Sequence, residues 1–394
     1  MIEIGLVGAP NSGKSTFFKA LTLKDVKIAS YPFTTLEPNE GIAYVRTKCV
    51  CKELPNTLNV ECKQCCDGNR FVAIKLWDVA GLVPDAHLGK GRGNQFLDDV
   101  MQSKGLLHIL DVSGKTDSHG ESTSGYDVTK TIEMLDTEID YWLVGLVKKD
   151  WRKILAEAHD KKAFVDILSN RLAGLGVRID DIEKTLDEIE KYFVKPHREW
   201  SDDDLLDFVT KLRKYSKPIL VAANKADTPS ADENMVKLKD SCEAIACSAE
   251  IELALREASN QGLISYIPGD ESFQLKQEIT DEKKKKALAF MDVYLKKHGN
   301  TGVQQTLNKL VFEMLDMVTV YPVANEHKLT DNKGNVLPHT HLVKRGTTVK
   351  DFATSIHTDF ADKYIGAIDA KTNRKLANDH ELQDGDIVKI LLRS

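Results

Sequence analysis

The apolar positions of this chain form short runs that alternate with longer amphipathic stretches. Six of the runs predict β-strands: Ile2–Val7, Asn39–Val45, Phe71–Trp77, Leu106–Leu110, Pro218–Ala223 and Ala244–Cys247. Strands that alternate with helical patterns are typical of a mostly parallel sheet joined by crossover helices. The predicted fold class is therefore α/β.

A long amphipathic segment interrupts this alternation. Roughly a hundred residues separate the fourth predicted strand from the fifth, whereas one crossover helix needs far fewer. Val128–Ala158 and Ile179–Phe193 carry apolar residues at helical spacing, and Gly174 and Gly176 suit a turn between them. Residues 128–216 therefore predict an inserted helical hairpin or short coiled coil, with two amphipathic helices packed flat on the sheet as the alternative.

The end of the chain has a different pattern. Short alternating apolar segments lie at Val318–Val320, His341–Val343 and Ile387–Leu392, which predicts a small β-rich α+β domain. The predicted organisation is a sheet domain over residues 1–127 and 217–317 with a cysteine-rich insert at 46–68, a helical insertion at 128–216, and a tail domain at 318–394.

Composition and charge exclude some classes of protein. The chain has 394 residues, of which 42% are hydrophobic and 29% charged, a soluble globular profile. Its net charge of −6 gives no bulk basic character for nucleic acid, and only a local patch remains open. There is no apolar run of about 20 residues to span a membrane. Because the N-terminus passes directly into a predicted strand, we expect no signal peptide. We expect a cytoplasmic protein with no membrane partner, and a monomer is favoured.

The segment from Gly8 to Ser15 has the form G-x-x-x-x-G-K-S, between the first predicted strand and a helical pattern. In that context the form indicates a phosphate-binding loop, because its glycines let the backbone wrap phosphates and the helix N-terminus offers unpaired N–H groups. An ordinary turn before a helix is the alternative. We expect Lys14 to reach the β- and γ-phosphates and Ser15 to ligate Mg²⁺. The residues predicted to contact the nucleotide here are Ala9, Pro10, Asn11, Ser12, Gly13, Lys14, Ser15 and Thr16.

Two further segments predict the rest of the phosphate and metal site. Asp78-Val79-Ala80-Gly81 has the form D-x-x-G at a strand end, where Asp78 can hold Mg²⁺ through water and the Gly81 N–H can meet a γ-phosphate. Thr35, with Thr34 as second choice, can complete the Mg²⁺ shell when the γ-phosphate is present, which predicts a nucleotide-sensing switch. The predicted Mg²⁺ ligands are thus Ser15, Thr35 and Asp78, and the predicted catalytic residues are Lys14, Thr35 and Gly81.

The segment Asn224-Lys225-Ala226-Asp227 follows the fifth predicted strand and has the form N-K-x-D. The Asp227 carboxylate can accept from the ring N–H and the exocyclic amine of guanine, a donor pair that adenine lacks. Asn224 can brace the phosphate-binding loop and contact the base edge, and the Lys225 stem can cover the base face. A backbone N–H can donate to guanine O6 from the next strand end, where the predicted residues are Ser248, Ala249 and Glu250.

These segments, together with Tyr31–Thr35 and Gly91–Leu97, resemble the switch regions of Obg-family, translation-factor-class GTPases. The resemblance is to the YchF-type branch in an archaeal-like form, and it covers nearly the whole chain. It implies a GTPase domain with a helical insert, a C-terminal TGS domain of the β-grasp type, and the ribosome or ribosomal RNA as partner. The segments that resemble the TGS domain and the approach to it are Gly299–Gln304, Asp316–Pro322, Gly346–Ala353 followed by His357 and Phe360, and Asp384–Val388.

The chain departs from the YchF branch at the base-reading segment. Many YchF proteins have Asn-x-x-Glu there, a change linked with ATP use, whereas Asp227 restores the guanine-reading carboxylate. Leu82 stands where many small GTPases place a glutamine that orients the attacking water. We therefore expect GTP and GDP as ligands, and slow hydrolysis that a partner raises. The resemblance also implies that Asn11 can accompany a K⁺ ion that acts as an arginine finger does.

Five of the seven cysteines lie in one short stretch. Cys49-x-Cys51 and Cys62-x-x-Cys65 can supply four thiolates for a tetrahedral Zn²⁺, although C-x-C is a less usual spacing than C-x-x-C. A set of reduced thiols on a loop is the alternative. This insert is not a general feature of the family. Three other functions stay open beside a GTP-driven switch: an ATP-hydrolysing YchF-like regulator, an enzyme that uses GTP on a small molecule, and a binding module with an inactive nucleotide site.

Overall fold

A computed structural model of the chain describes residues 1–23, 39–54, 62–79, 100, 103–190, 197–356 and 363–393. The main sheet contains β1 Glu3–Val7, β2 Glu40–Lys48, β3 Asn69–Asp78, β4 Gly105–Asp111, β5 Ile219–Asn224 and β6 Ala244–Ala246. Their order across the sheet is β2-β3-β1-β4-β5-β6. All neighbours are parallel except β2 and β3, which pair antiparallel as an edge hairpin. The six predicted strands and the α/β fold class are confirmed.

Helices cover both faces of this sheet. They are α1 Lys14–Thr22, α2 Thr129–Glu157, α3 Lys161–Leu172, α4 Ile179–Glu190, α5 Asp202–Ser216, α6 Ala231–Leu238, α7 Ala249–Asn260, α8 Glu282–His298 and α9 Val303–Asn308. A further helix, α10 Val349–Ile356, belongs to the C-terminal part of the chain. On one face Phe17 of α1 and Leu307 of α9 pack against Ile74, Leu107 and Leu220 of the strands. These side chains are fully buried. The burial of their apolar surface holds α1 against the sheet, directly after β1.

The other face carries the helical insertion, which is formed by α2 to α5. The predicted hairpin or coiled coil is corrected by the structure: four helices share one core with Trp77 and Leu106 of the sheet. The extra helices begin at local caps, since the Asp160 side chain accepts from the Ala163 N–H and Ser201 forms a capping box. Helices with such breaks bury their apolar stripes against each other and the sheet and do not extend as a coiled coil.

The C-terminal part forms a second sheet from β9 Met317–Val323, β10 His341–Lys344, β11 Tyr364–Asp369, β12 Arg374–Leu376 and β13 Asp386–Leu392. Its order is β10-β9-β13-β11-β12, with β9 and β13 parallel and the other pairs antiparallel. Phe352 of α10 is buried against this sheet. The predicted small α+β domain is confirmed. A short pair, β7 Ile264–Ser265 and β8 Gln274–Leu275, lies between the two sheets in the chain order.

In the described part of the chain, no helix combines the length and the apolar character that crossing a bilayer requires.

Candidate nucleotide-binding site

The phosphate-binding loop connects β1 to α1 in a conformation that needs glycine at two positions. A Cβ atom on Gly8 would overlap the carbonyl oxygen of Ile109 on β4. Gly13 has φ of +90°, and a Cβ atom there would overlap the side-chain amide of Asn224. Both glycines therefore allow the loop to lie closely on the neighbouring strand ends. A 450 Å³ cleft follows this loop, and its lining residues are Ala9, Pro10, Asn11, Gly13, Lys14, Ser15 and Thr16.

The predicted phosphate lysine and metal carboxylate lie together. Lys14 is the first residue of α1 and Asp78 is the last of β3, and the Lys14 ammonium forms an ion pair with the Asp78 carboxylate. Both side chains are mostly shielded, with 13% and 19% of their surfaces exposed. Ser15 follows directly on α1. The oxygens of Ser15 and Asp78 are of the kind that Mg²⁺ prefers, so this corner fits the predicted ion.

Asn224 braces the loop, as predicted, from the end of β5. Its amide nitrogen donates to the Ser12 carbonyl over 3.0 Å, and its amide oxygen accepts from the Ala249 N–H over 3.0 Å. The Asn224 side chain is buried, so both bonds are shielded from water. The Ala249 N–H, which we expect to donate to guanine O6, here donates to Asn224, because α7 begins directly beside β5.

Asp227 is held by the first turn of α7. The Ser248 hydroxyl donates to its carboxylate over 2.8 Å and accepts from the Ile251 N–H over 3.3 Å as the helix cap. This arrangement fixes the carboxylate at the wall of a 210 Å³ cavity that shares Gly13 and Thr16 with the cleft of the phosphate-binding loop. The residues that line the cavity are Gly13, Thr16, Asn224, Lys225, Asp227, Thr228, Ala249 and Glu250.

Asp111 is a member of the site that the sequence analysis missed. Lys225 bridges its carboxylate, over 2.8 Å, and the Asn11 carbonyl, over 2.7 Å. Burial acts to raise the pKa of Asp111, but the hydrogen bonds from Lys225, Ser113 and Thr116 outweigh it and lower the pKa. Asp111 therefore stays ionised and holds the Lys225 stem along the cavity. The signal in the sequence was the position of Asp111 at the end of an apolar strand, a position that Asp78 and Asn224 share.

A loop after β4 covers the outer side of the phosphate-binding loop. The Asn11 amide nitrogen donates to the Gly120 carbonyl over 2.8 Å, and a Cβ atom on Gly120 would overlap Pro10. Asn11 itself has φ of 63°, in the left-handed region that asparagine tolerates. No motif in the sequence indicated this contact.

Several predicted residues lie outside the described part of the chain. They are Thr34, Thr35, Gly81, Leu82, the segment Gly91–Leu97, His357 and Phe360. Of the predicted Mg²⁺ ligands, Ser15 and Asp78 lie in the described part.

The predicted zinc ligands form a second cluster. The sulfur atoms of Cys49, Cys51, Cys62 and Cys65 all lie within 4.8 Å of one another. Burial raises the pKa of the Cys51 thiol to about 11. The hydrogen bond with Cys49, followed by burial, raises the pKa of the Cys62 thiol. In the described structure this cluster is joined to β2 and β3, at the ends opposite the nucleotide cavity.

Comparison with known proteins agrees with this architecture. The family model described as 50S ribosome-binding GTPase matches residues 3–149. The model described as Obg-like GTPase YGR210-like, G4 motif-containing domain, matches residues 222–325, and the TGS domain model matches residues 327–392. The expected C-terminal TGS domain is thus confirmed.

Relatives extend the match over the whole chain. A GTP-binding protein of Methanocaldococcus jannaschii is 44% identical over 99% of both chains. A ribosome-binding ATPase, YchF, of Bacillus subtilis is 26% identical over 98% of both. The crystal structure of a GTP-binding protein from Pyrococcus horikoshii is similar with a TM-score of 0.73 and 36% identity, over 99% of this chain and 100% of that one. The chain is a P-loop GTPase that belongs to the YGR210-like Obg-like GTPases, in the YchF/Obg-like branch.

Proposed function

We propose that this protein hydrolyses GTP in preference to ATP, with Mg²⁺ as cofactor, and that its nucleotide state controls binding to the ribosome. The observation that carries the proposal is the carboxylate of Asp227, held by Ser248 at the wall of the cavity beside the phosphate-binding loop. Guanine meets that carboxylate with two N–H donors. Adenine offers no such pair, so its binding leaves a shielded anion without partners, which costs free energy.

The phosphate-binding loop and the end of β3 supply the groups for phosphate binding and for the chemistry. Lys14 neutralises charge on the β- and γ-phosphates, and the Gly81 N–H and Thr35 complete the surroundings of the γ-phosphate. Ser15, Thr35 and Asp78 would hold Mg²⁺, which would stabilise the negative charge of the phosphate chain. Because phosphoryl transfer depends mainly on positioning and charge stabilisation, these residues support binding even where water is poorly positioned.

Leu82 cannot orient the attacking water, so the intrinsic rate is slow and another group must raise it. For Asn11 we propose a role as ligand of a K⁺ ion beside the phosphates. The hydrogen bond to the Gly120 carbonyl uses the amide nitrogen of Asn11, which supports a ligand role for the amide oxygen. The Zn²⁺ predicted at the four cysteines has no part in hydrolysis. The strand β3, of ten residues, separates that cluster from Asp78 by about 30 Å.

The ribosome is proposed as partner on the names of similar proteins and on the TGS domain. The B. subtilis relative is named as a ribosome-binding ATPase, and the family model over residues 3–149 as a 50S ribosome-binding GTPase. The first of these names also supports the alternative of an ATP-hydrolysing regulator. An enzyme that uses GTP on a small molecule is the other alternative.

Steady-state turnover separates these functions. The purified protein is assayed in K⁺ buffer with GTP or ATP, with and without purified ribosomes, and Lys14→Ala serves as the control for contaminating activity. We expect turnover of GTP but not ATP, and an increase on addition of ribosomes. Equal turnover of ATP would contradict the role of Asp227. A GTP rate that ribosomes leave unchanged, together with no nucleotide-dependent cosedimentation, would refute the ribosomal switch.

A further inference from the structure

The four clustered cysteines have the spacing of a tetrahedral metal centre. The sulfur atoms of Cys49 and Cys62 are 3.9 Å apart, and those of Cys51 and Cys65 are 3.7 Å apart. Four sulfurs placed 2.3 Å from one Zn²⁺ are separated by about 3.8 Å. A disulfide requires about 2.0 Å, so the thiols are not oxidised in pairs. The distances therefore match a single shared ion.

The backbone holds these thiols at one end of the β2-β3 hairpin, where β2 ends and β3 begins. Cys49 follows β2, and its N–H donates to the Gly68 carbonyl over 2.8 Å. On the other side a two-residue turn leads into β3, with φ of 49° at Asp67 and 80° at Gly68. Asp-Gly with positive φ at both positions is the favoured sequence for such a turn. The C-x-C and C-x-x-C halves are thus held in register by the β2-β3 ladder, which compensates for the unusual spacing of the first half.

Arg70 supplies a second, independent observation. Its side chain is 4% exposed, and among the residues that the structure describes no carboxylate pairs with it. One guanidinium nitrogen lies 3.9 Å from the sulfur of Cys62 and donates to the Leu337 carbonyl over 2.7 Å. A buried guanidinium stays charged and is stabilised by a negative partner. Four neutral thiols provide none, whereas four thiolates around Zn²⁺ carry a net charge of −2.

We propose that Cys49, Cys51, Cys62 and Cys65 bind one Zn²⁺ and that this centre fastens the β2-β3 hairpin to the C-terminal domain. Binding converts four thiols and Zn²⁺ into a tetrathiolate centre and releases four protons. No electron is transferred, and the ion has no open position for a substrate. The site is therefore structural.

The fastening follows from what surrounds the cysteines. Val50, between the first two ligands, is buried in one cluster with Tyr321, Leu337 and Ile387 of the C-terminal part. The Arg70 guanidinium lies 5.4 Å from the centre of the Tyr321 ring. The metal holds the short loop that carries Val50. Loss of the metal should therefore weaken the contacts between Val50 and the C-terminal sheet.

Metal analysis of the full-length protein tests the site. The protein is purified without chelator under reducing conditions and its zinc is measured by mass spectrometry. We expect about one zinc ion per chain. Cys65→Ser should lose most of it, whereas the matched control Cys66→Ser should keep it, because Cys66 lies outside the group of four sulfurs. Zinc-free protein with reduced thiols, or equal loss in both variants, would overturn the proposal.

Two measurements on the wild-type protein avoid variants that fail to fold. Replacement of zinc by Co²⁺ should give the intense visible bands of a tetrahedral thiolate site, and a weak octahedral spectrum would contradict it. Hydrogen exchange, measured once zinc removal has been verified, should become faster in β9 and β13 but not in β4. Unchanged exchange in β9 and β13 would refute the fastening role.

Discussion

The Lys14 ammonium and the Asp78 carboxylate pair directly across the space between the start of α1 and the end of β3. Each group is thereby the counter-charge of the other. A phosphate chain with Mg²⁺ supplies a better partner to both, because the phosphates attract the lysine and the ion attracts the carboxylate. Nucleotide binding should therefore exchange this pair for two new ones without leaving a shielded charge alone.

Replacement of Lys14 by alanine removes the cation that we propose neutralises the transferred phosphoryl group. We expect Lys14→Ala to lower single-turnover GTP hydrolysis by about 100- to 1000-fold, as for the loss of one preorganised charge donor. The control is Lys19→Ala on the same helix, where the lysine is 62% exposed and pairs loosely with Glu257. A rate within twofold of wild type for Lys14→Ala would contradict the assigned role.

Replacement of Asp227 by asparagine should change the base that is bound. Two hydrogen bonds to a charged acceptor are worth about 1.5–3 kcal/mol each, so GTP affinity should fall by roughly 10²- to 10⁴-fold. Xanthine presents a carbonyl where guanine has the amine, and the asparagine amide can donate to it. Titration with GTP and XTP checks this, and XTP binding by Asp227→Asn shows that the variant is folded. Loss of both ligands would not fit a purely base-reading role.

Asn224→Ala removes two buried hydrogen bonds at once. The Ser12 carbonyl and the Ala249 N–H then lose their partner, which costs about 1–3 kcal/mol for each unsatisfied group. We expect a lower melting temperature and weaker GDP binding, measured by thermal unfolding and titration. Asn335→Ala, in an exposed turn of the C-terminal domain, should stay near wild type in both. Equal effects of the two substitutions would argue against the bracing role.

His108 makes stability depend on pH. Burial lowers its pKa from 6.5 to about 4. Between these values the unfolded chain takes up a proton that the folded chain does not, so the free energy of unfolding falls as the pH drops from 6.5 towards 4. The loss is about 3 kcal/mol at most. In denaturant titrations at pH 7 and pH 5, His108→Gln should show a smaller difference than wild type. An identical difference would place the pH dependence on other groups.

Potassium should stimulate hydrolysis through Asn11. GTP turnover is compared in K⁺ and Na⁺ at equal ionic strength, and we expect the K⁺ rate to be higher. Asn11→Gly is the matched variant, because glycine accepts the φ of 63° without strain while the side-chain oxygen is removed. The variant should turn over GTP at the same rate in both salts. Identical wild-type rates in K⁺ and Na⁺ would refute this cation site.

Much of the candidate site could be predicted from local sequence. The residues from Gly8 to Ser15, Asp78 and the N-K-x-D segment were identified because each motif sits at the end of an apolar strand, and parallel strands bring those ends to one edge. The same rule applied to Asp111, which is in register with Asn224, but no motif marked it.

Contacts that are distant in the chain were not accessible to such reasoning. Asn11 and Gly120 are 109 residues apart, and Arg70 and Leu337 are 267 apart. Neither pair has a local pattern that indicates its partner. The four-helix insertion was missed for a related reason: apolar periodicity shows which face of a helix is buried, but not how many helices share the buried core.

The strand β3 begins beside the cysteine cluster and ends at Asp78 in the nucleotide site. It is hydrogen-bonded to β2 on one side and β1 on the other, and a slip of one residue would turn all its side chains to the wrong face. The strand β3 can therefore move only as a rigid unit. Over about 30 Å a tilt of about 5° displaces the far end by about 3 Å. A rotation of β3 at Asp78 would therefore displace the region that contacts the C-terminal domain.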